Sequence, residues 1–422
     1  MSLATTGNAG PPAAPDDGGQ SPPSLSQLAA RAAGWFGSFT LSAAAAFASV
    51  LNAGLDESFN HARFSVVLGI LLTLHLLRYP KILFCQESAV YACLLCYMAL
   101  STVWTPDPRI AVNTLLPGLN FLLLLMLFGS LVMFHHVAAV LSGMLFGFSC
   151  GAGVYTVLTG FPLTRPPDFS YNAIAGMYLF GLFSIFVWGW YARQRLLCLL
   201  MATVAMMLIA ATTSIKTNLG VLLGVISAAA IYLRTFTRIL GQSSIALLVV
   251  SVAISYAVLS NEALLKRLQD GVDRVTLGVQ ILSAREDQSQ GTSFNDRQYW
   301  QKIGLKGWTG NPVFGSGVEA FRADVGITSH STPIDVLYNF GLIGFALYYA
   351  LFVMLARRLY IARRVRLRAL PVLIFSGTIC YLFMSLSEPL HYNSFFAVFI
   401  AVNVALLRRQ ARNELAADSG VP

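Results

Sequence analysis

The sequence predicts an all-α integral membrane protein of about twelve transmembrane helices, with one large outer loop region that itself contains helices. Three observations carry this prediction. Apolar side chains make up 56% of the 422 residues and charged ones only 11%, against roughly 25% charged in soluble domains. The apolar residues gather in runs long enough to cross a bilayer, about 17–25 residues each. The basic residues lie in short clusters between those runs, where orientation signals belong.

Taken in order, residues 1–34 contain "TTGNAGPPAAPDDGGQSPPSLSQ", rich in Pro, Gly and Ser and without an apolar period. Such a stretch cannot repay its ordering entropy, and it is expected to be a disordered cytoplasmic tail. The first strongly apolar run begins near Trp35 with no basic start before it, so it reads as a first span and not as a signal peptide. Residues 35–259 are expected to hold spans one to nine, centred at about 44, 70, 95, 122, 147, 181, 204, 225 and 251. Residues 260–332 form the long outer connection. Residues 333–408 hold spans ten to twelve, centred at about 344, 378 and 398, and 409–422 a cytoplasmic tail.

With the N-terminus inside, the inner connections hold Arg78 and Lys81, Arg193 and Arg195, Arg234 and Arg238, then "RRLYIARRVRLR" at 357–368. Arg408, Arg409 and Arg412 follow the last span. This positive-inside pattern puts both termini in the cytoplasm. It also accounts for the net charge of +9 without nucleic acid as a partner. Five of the six cysteines, Cys93, Cys96, Cys150, Cys198 and Cys380, fall within apolar runs, and Cys85 ends one; neither a zinc site nor a disulfide framework is indicated.

The span interiors carry almost no ionisable residues, which disfavours a channel or an ion-coupled carrier, since ions and protons need partners at mid-membrane depth. His75 lies at an inner span end and His135 and His136 in an inner connection. A connection of about 70 residues without structure would be unusual, so residues 260–332 are expected to be folded and functional.

The stretch "SHSTPIDVLYNFGLIGF", residues 329–345, opens span ten. Thr332 reads as N-cap, Pro333 as the first helical position and Asp335 as a first-turn acid. His330 then lies just ahead of a helix N-terminus, whose positive end disfavours imidazolium and favours a ring able to accept a proton. A lone interfacial histidine is more often a polar anchor, and on geometry alone that reading leads. Lys216, in "ATTSIKTNLGVLLG", stands near another outer helix start, where it either holds an anion or simply snorkels; the two readings weigh equally.

In the long connection, "SFNDRQYWQKIGLKGWTGNPVFGSGVEAFRADVG" offers Ser293 or Asn295 as the N-cap of a helical stretch that carries Arg297 and breaks at Gly310, Pro312, Gly315 and Gly317. "GSG" is too short for a phosphate loop and reads as a structural turn. Arg285 and Arg297 could each offer a bidentate fork to phosphate oxygens, although Glu286 and Asp296 beside them supply an ordinary alternative.

His330 and Ser331, nine residues, then Gly341 and Gly344 resemble the H-[NSQ]-x9-G-x-x-G pattern of bacterial O-antigen ligases. "DRQYW" and "NPVFGSGVEAF" are similar to a run shared by O-antigen ligases, polymerases and related oligosaccharyltransferases. "TTSIKTNLGVLLG" resembles the T-x-S-R-G segment of the same superfamily, with Lys216 where arginine is usual and Thr217 where glycine is usual; the charge is kept and the bidentate fork is not. "SYNAIAGMYLF", residues 170–180, is similar to the family's entry into its sixth span.

The resemblance implies a GT-C-like membrane glycosyltransferase of the bacterial inner membrane with a periplasmic active site. Its implied substrates are undecaprenyl diphosphate-linked O-antigen and a sugar hydroxyl of the lipid A core, with no cofactor and no metal. It implies His330 as general base and Lys216, Arg285, Arg297 and Arg165 as groups that stabilise the diphosphate. An O-antigen polymerase or a protein O-oligosaccharyltransferase shares the fold and the donor. A lipid-linked glycan flippase or transporter is the more distant alternative.

Overall fold

The computed structural model describes residues 24–54, 57–82, 84–160, 171–192, 194–211, 293–362, 369–386 and 393–418, together with 217, 219–224, 226, 262, 265, 266 and 269. Among the described residues the secondary structure is helical, without strands. Ten of the twelve expected span centres fall in helices: α1 (Leu25–Gly54), α2 (Glu57–Arg78), α3 (Gln86–Ser101), α4 (Pro108–Phe134), α5 (Val137–Thr159), α6 (Tyr171–Ala192) and α7 (Arg195–Ala211), then α10 (Thr332–Ala362), α11 (Ala369–Ser385) and α12 (Ser394–Asp418). Between these groups lie α8 (Ser293–Trp308) and α9 (Ala320–Val325), both within the long connection. Six of the helices, α1, α2, α4, α5, α10 and α12, are long and apolar enough to cross a membrane. The centre near 251 lies outside the described residues, and the one near 225 lies among residues described only in part.

Helix α1 starts at Leu25, inside the segment expected to be a tail. The cause is a capping box: Ser24 Oγ accepts from the Gln27 amide at 3.3 Å and Gln27 Oε1 accepts from the Ser24 amide at 3.1 Å. The reciprocal pair satisfies two end donors, and the Ala-, Leu- and Gln-containing residues that follow are strong helix formers. At the far end of the chain α12 runs on to Asp418, past the expected span limit at 408.

Helices α4 and α12 form the centre. Phe121, Leu124, Phe128 and Leu131 of α4 and Ala405 and Leu406 of α12 are fully buried. Aromatic rings knit the neighbours to this pair, with Phe396 of α12 lying 4.9 Å from Phe352 of α10 and 5.0 Å from Tyr381 of α11, centroid to centroid. Inside a bilayer such burial exchanges lipid for protein contact, so close fit and dispersion, not exclusion of water, hold the pair.

Helix α5 lies against α1 along glycines spaced four apart, Gly143, Gly147 and Gly151. A Cβ on Gly147 would strike the Ala43 carbonyl group of α1, and one on Gly151 would sit 2.7 Å from Val50 Cβ. Small residues at this period let two backbones meet.

Among the described residues, one buried ion pair joins two of the helices. Glu87 of α3, fully buried, accepts two hydrogen bonds from the Arg358 guanidinium of α10, one of them at 3.1 Å from Nη2. This bidentate pair lies at the end of the bundle opposite His330.

Candidate functional site

Helix α8 ends at Trp308, and the chain turns through hydrogen bonds from the Gly310 amide to the Gly307 carbonyl and from Trp308 Nε1 to the Pro312 carbonyl. The next residues, 312–317, enter a break in α10. Gly341 has φ 61° and ψ −161°, a region open essentially only to glycine. The break leaves unpaired groups on both sides of it, and the loop supplies the partners. The Ser316 and Gly317 amides donate to the Tyr338 and Asn339 carbonyls at 2.8 and 2.9 Å. On the other side, the Leu342 and Ile343 amides donate to the Pro312 and Val313 carbonyls at 2.9 and 3.2 Å. The loop thus splices two half-helices, and the segments "NPVFGSGVEAF" and "GLIG" are two faces of one joint.

The same loop is tied to α3 and the turn that follows it. Tyr97 donates its hydroxyl to the Phe314 carbonyl at 2.7 Å, Thr105 to the Val318 carbonyl at 2.6 Å, and the Val318 amide donates to Ser101 Oγ at 3.1 Å. Helix α9 is fixed by the Phe321 amide on Asn339 Oδ1 at 2.9 Å and by the edge-to-face contact of Phe321 with Tyr338. Tyr338 in turn donates its hydroxyl to Asp324 at 2.7 Å. Tyr97, Ser101 and Thr105 stand more than 200 residues before the loop they hold, and no spacing in the sequence announces them.

Within this frame stands His330, half-buried, with φ 55°. Glu319 and His330 are the two non-glycine residues with positive φ among the described residues. That backbone region costs a non-glycine residue about 1–2 kcal/mol, and such strain gathers at functional sites, where the surroundings over-determine it. At His330 the determinants are the buried neighbours Ser329 and Ser331. The Ser329 amide donates to Asp335 Oδ1 at 3.0 Å, and Ser329 Oγ both donates to the Ser331 carbonyl and accepts from the Ser331 amide.

Helix α10 begins at Thr332, and its first backbone bond runs from the Asp335 amide to the Ser331 carbonyl at 2.9 Å. The cap is therefore Ser331, one residue ahead of the expected Thr332, because the Ser329–Ser331 bridge already holds that carbonyl at the helix start. Pro333 lies in the first turn, where its missing amide is harmless.

Of the expected anion-binding residues, Arg297 lies in α8. Lys216, Arg285 and Arg165 lie outside the described residues.

Residues 205–349 match the family model Wzy_C, O-antigen ligase. The matched segment includes His330, Arg297, Arg285 and Lys216 and stops short of Arg165. It also includes both halves of the spliced joint in α10. No curated protein matches the chain.

Proposed function

From the membership of the O-antigen ligase superfamily that the match over residues 205–349 supports, we propose that this protein is an O-antigen ligase. It transfers O-antigen polysaccharide from undecaprenyl diphosphate to a sugar hydroxyl of the lipid A core, at the periplasmic face of the inner membrane. The observation that carries the reading is His330, held in a strained backbone state at the start of α10 by a bridge of buried serines. It heads the only stretch that combines the histidine, Ser331, Gly341 and Gly344 at the ligase spacing.

In the proposed reaction His330 accepts the proton of the acceptor hydroxyl as its oxygen attacks the anomeric carbon of the donor. The bond from that carbon to the diphosphate oxygen breaks, and undecaprenyl diphosphate leaves with the electron pair. Direct displacement inverts the anomeric centre and requires neither metal nor nucleotide. Lys216, Arg285, Arg297 and Arg165 are assigned to the charge that develops on the diphosphate. A positioned general base is worth about 10²–10⁴-fold.

The test is His330→Ala expressed in a strain that lacks its own ligase. Loss of O-antigen from the lipopolysaccharide, at normal protein level and by about 10²-fold or more, is the expected outcome; unchanged capping would sink the assignment. Reconstitution with lipid-linked glycan and lipid A core separates the acceptors: growth of lipid-linked chains without the core would make the protein a polymerase.

A further inference from the structure

Building on the reading of His330 as the base, we propose that Asp335 is the positioning residue that fixes its geometry. Asp335 is 3% exposed and grips both residues that flank His330. Its side-chain Oδ1 accepts from the Ser329 amide at 3.0 Å, and its own amide donates to the Ser331 carbonyl at 2.9 Å. Ser329 Oγ closes the ring by bonding the Ser331 amide at 3.1 Å and the Ser331 carbonyl at 3.0 Å.

Between the two clamped residues His330 holds a left-handed backbone, at φ 55°. The amide bond of Asp335 survives Asp335→Ala, but the side-chain bond to the Ser329 amide does not. Without it the Ser329–Ser331 turn keeps its internal bonds but loses its side-chain tie to the first turn of α10, and the left-handed backbone of His330 is less firmly imposed. The imidazole then moves relative to α10, and displacement of a catalytic group by about 1 Å costs on the order of 10²-fold in rate.

Asp335 acts through His330 and does not itself touch substrate in this scheme. Its removal should therefore lower kcat and leave the donor KM unchanged, because the groups assigned to the diphosphate are elsewhere. Asparagine keeps an oxygen acceptor at the same position, so it should rescue. A role confined to stability would instead lower the amount of folded enzyme and leave kcat per folded molecule as it was.

The experiment uses full-length protein in nanodiscs, with polyprenyl diphosphate-linked glycan and lipid A core as substrates and active protein normalised by size-exclusion chromatography. Asp335→Ala is expected to lose at least tenfold in kcat, with donor KM within twofold, and Asp335→Asn to keep more than a third of wild-type kcat. Should Asp335→Ala fail to fold, Ser329→Ala removes the other side of the ring and is expected to lose at least fivefold in kcat at constant KM. Wild-type kcat in whichever of these variants folds, or equal loss in the Asn and Ala variants, overturns the proposal. His330→Ala run beside them separates the two levels: full activity there removes His330 as base and this proposal with it, whereas an inactive His330→Ala with wild-type kcat in Asp335→Ala overturns the positioning role alone.

Discussion

Two glycines with positive φ show how differently the same backbone state can be used. Gly326 ends α9 at φ 82°, and a Cβ there would meet nothing within 4 Å. Gly341 lies at φ 61° with the Val313 carbonyl and the Gly315 amide closing off the space a side chain would need; a Cβ there would stand 2.6 Å from the Gly315 nitrogen. Gly326→Ala should thus cost only the backbone penalty, about 1–2 kcal/mol. Gly341→Ala adds a clash with backbone that has no rotamer to change, about 1–3 kcal/mol more by the usual cost of overpacking. It also unseats the loop that pairs both half-helices. Thermal unfolding in detergent should rank the variants wild type, Gly326→Ala, Gly341→Ala, and only the last should lose transfer activity. Equal melting shifts in the two variants would mean that the loop does not depend on contact at Gly341.

Helices α1 and α5 meet where their surfaces are smallest. The α1 and α5 pair depends on Gly143, Gly147 and Gly151, and Gly147→Leu would drive a branched side chain into the Ala43 backbone. Loss of folded protein in membranes, read by detergent-extracted yield and melting temperature, is the expected outcome, with Gly153→Leu on the same helix as the control since nothing lies within 4 Å of it. Much of this architecture is legible in the sequence. Apolar run length locates ten of the helices, and α8 begins at Ser293 itself, one residue ahead of the start that a Ser293 cap implies. The early start of α1 is written in the Ser24 and Gln27 pair, but a Pro- and Gly-rich neighbourhood masks it. The joint in α10 is not legible, because a largely apolar helical run hides a single glycine break and the loop that fills it lies in a separate motif. His330 is legible as a motif residue and as a helix-start residue, whereas its backbone strain depends on Ser329 and Asp335 bonding across the turn, which no spacing specifies.

The two ends of the bundle are built for different things. The His330 end presents a strained residue and a spliced loop, while the opposite end is a set of locks. There Arg358 holds Glu87, and Arg409 of α12 donates to the Val132 and His135 carbonyls at 2.9 and 2.8 Å, capping the last turn of α4. His135 also joins three segments through its ring: Nδ1 lies 2.9 Å from Ser38 Oγ of α1, and Nε2 lies 2.9 Å from Nδ1 of His75 in α2, whose Nε2 lies 3.0 Å from the Lys81 carbonyl. A carbonyl only accepts, so His75 carries its proton on Nε2 and accepts at Nδ1 from His135. His135 then accepts at Nδ1 from Ser38. Every link is made with both rings neutral. Burial, with the neighbouring His75 and the Arg78 charge adding to it, pulls His135 down from 6.5 to about 4. A folded-state value below the unfolded one means that the unfolded chain binds the extra proton first, so this contribution to stability is present above about pH 6.5 and is lost as pH falls from there toward 4. Thermal unfolding between pH 7.5 and 4.5 should therefore show a steeper loss of melting temperature for wild type than for His135→Gln, which can hold the Ser38 and His75 contacts without titrating. Parallel curves would show that His135 stays neutral in both states or is charged in both, and would remove it as the source of any acid sensitivity. Because Ser38 can turn its hydroxyl to the Gly34 carbonyl, 2.8 Å away, the protonated ring still finds an acceptor; the penalty is one of burying charge, and it should persist at high salt, which screens surface pairs far more than a site enclosed by three helices.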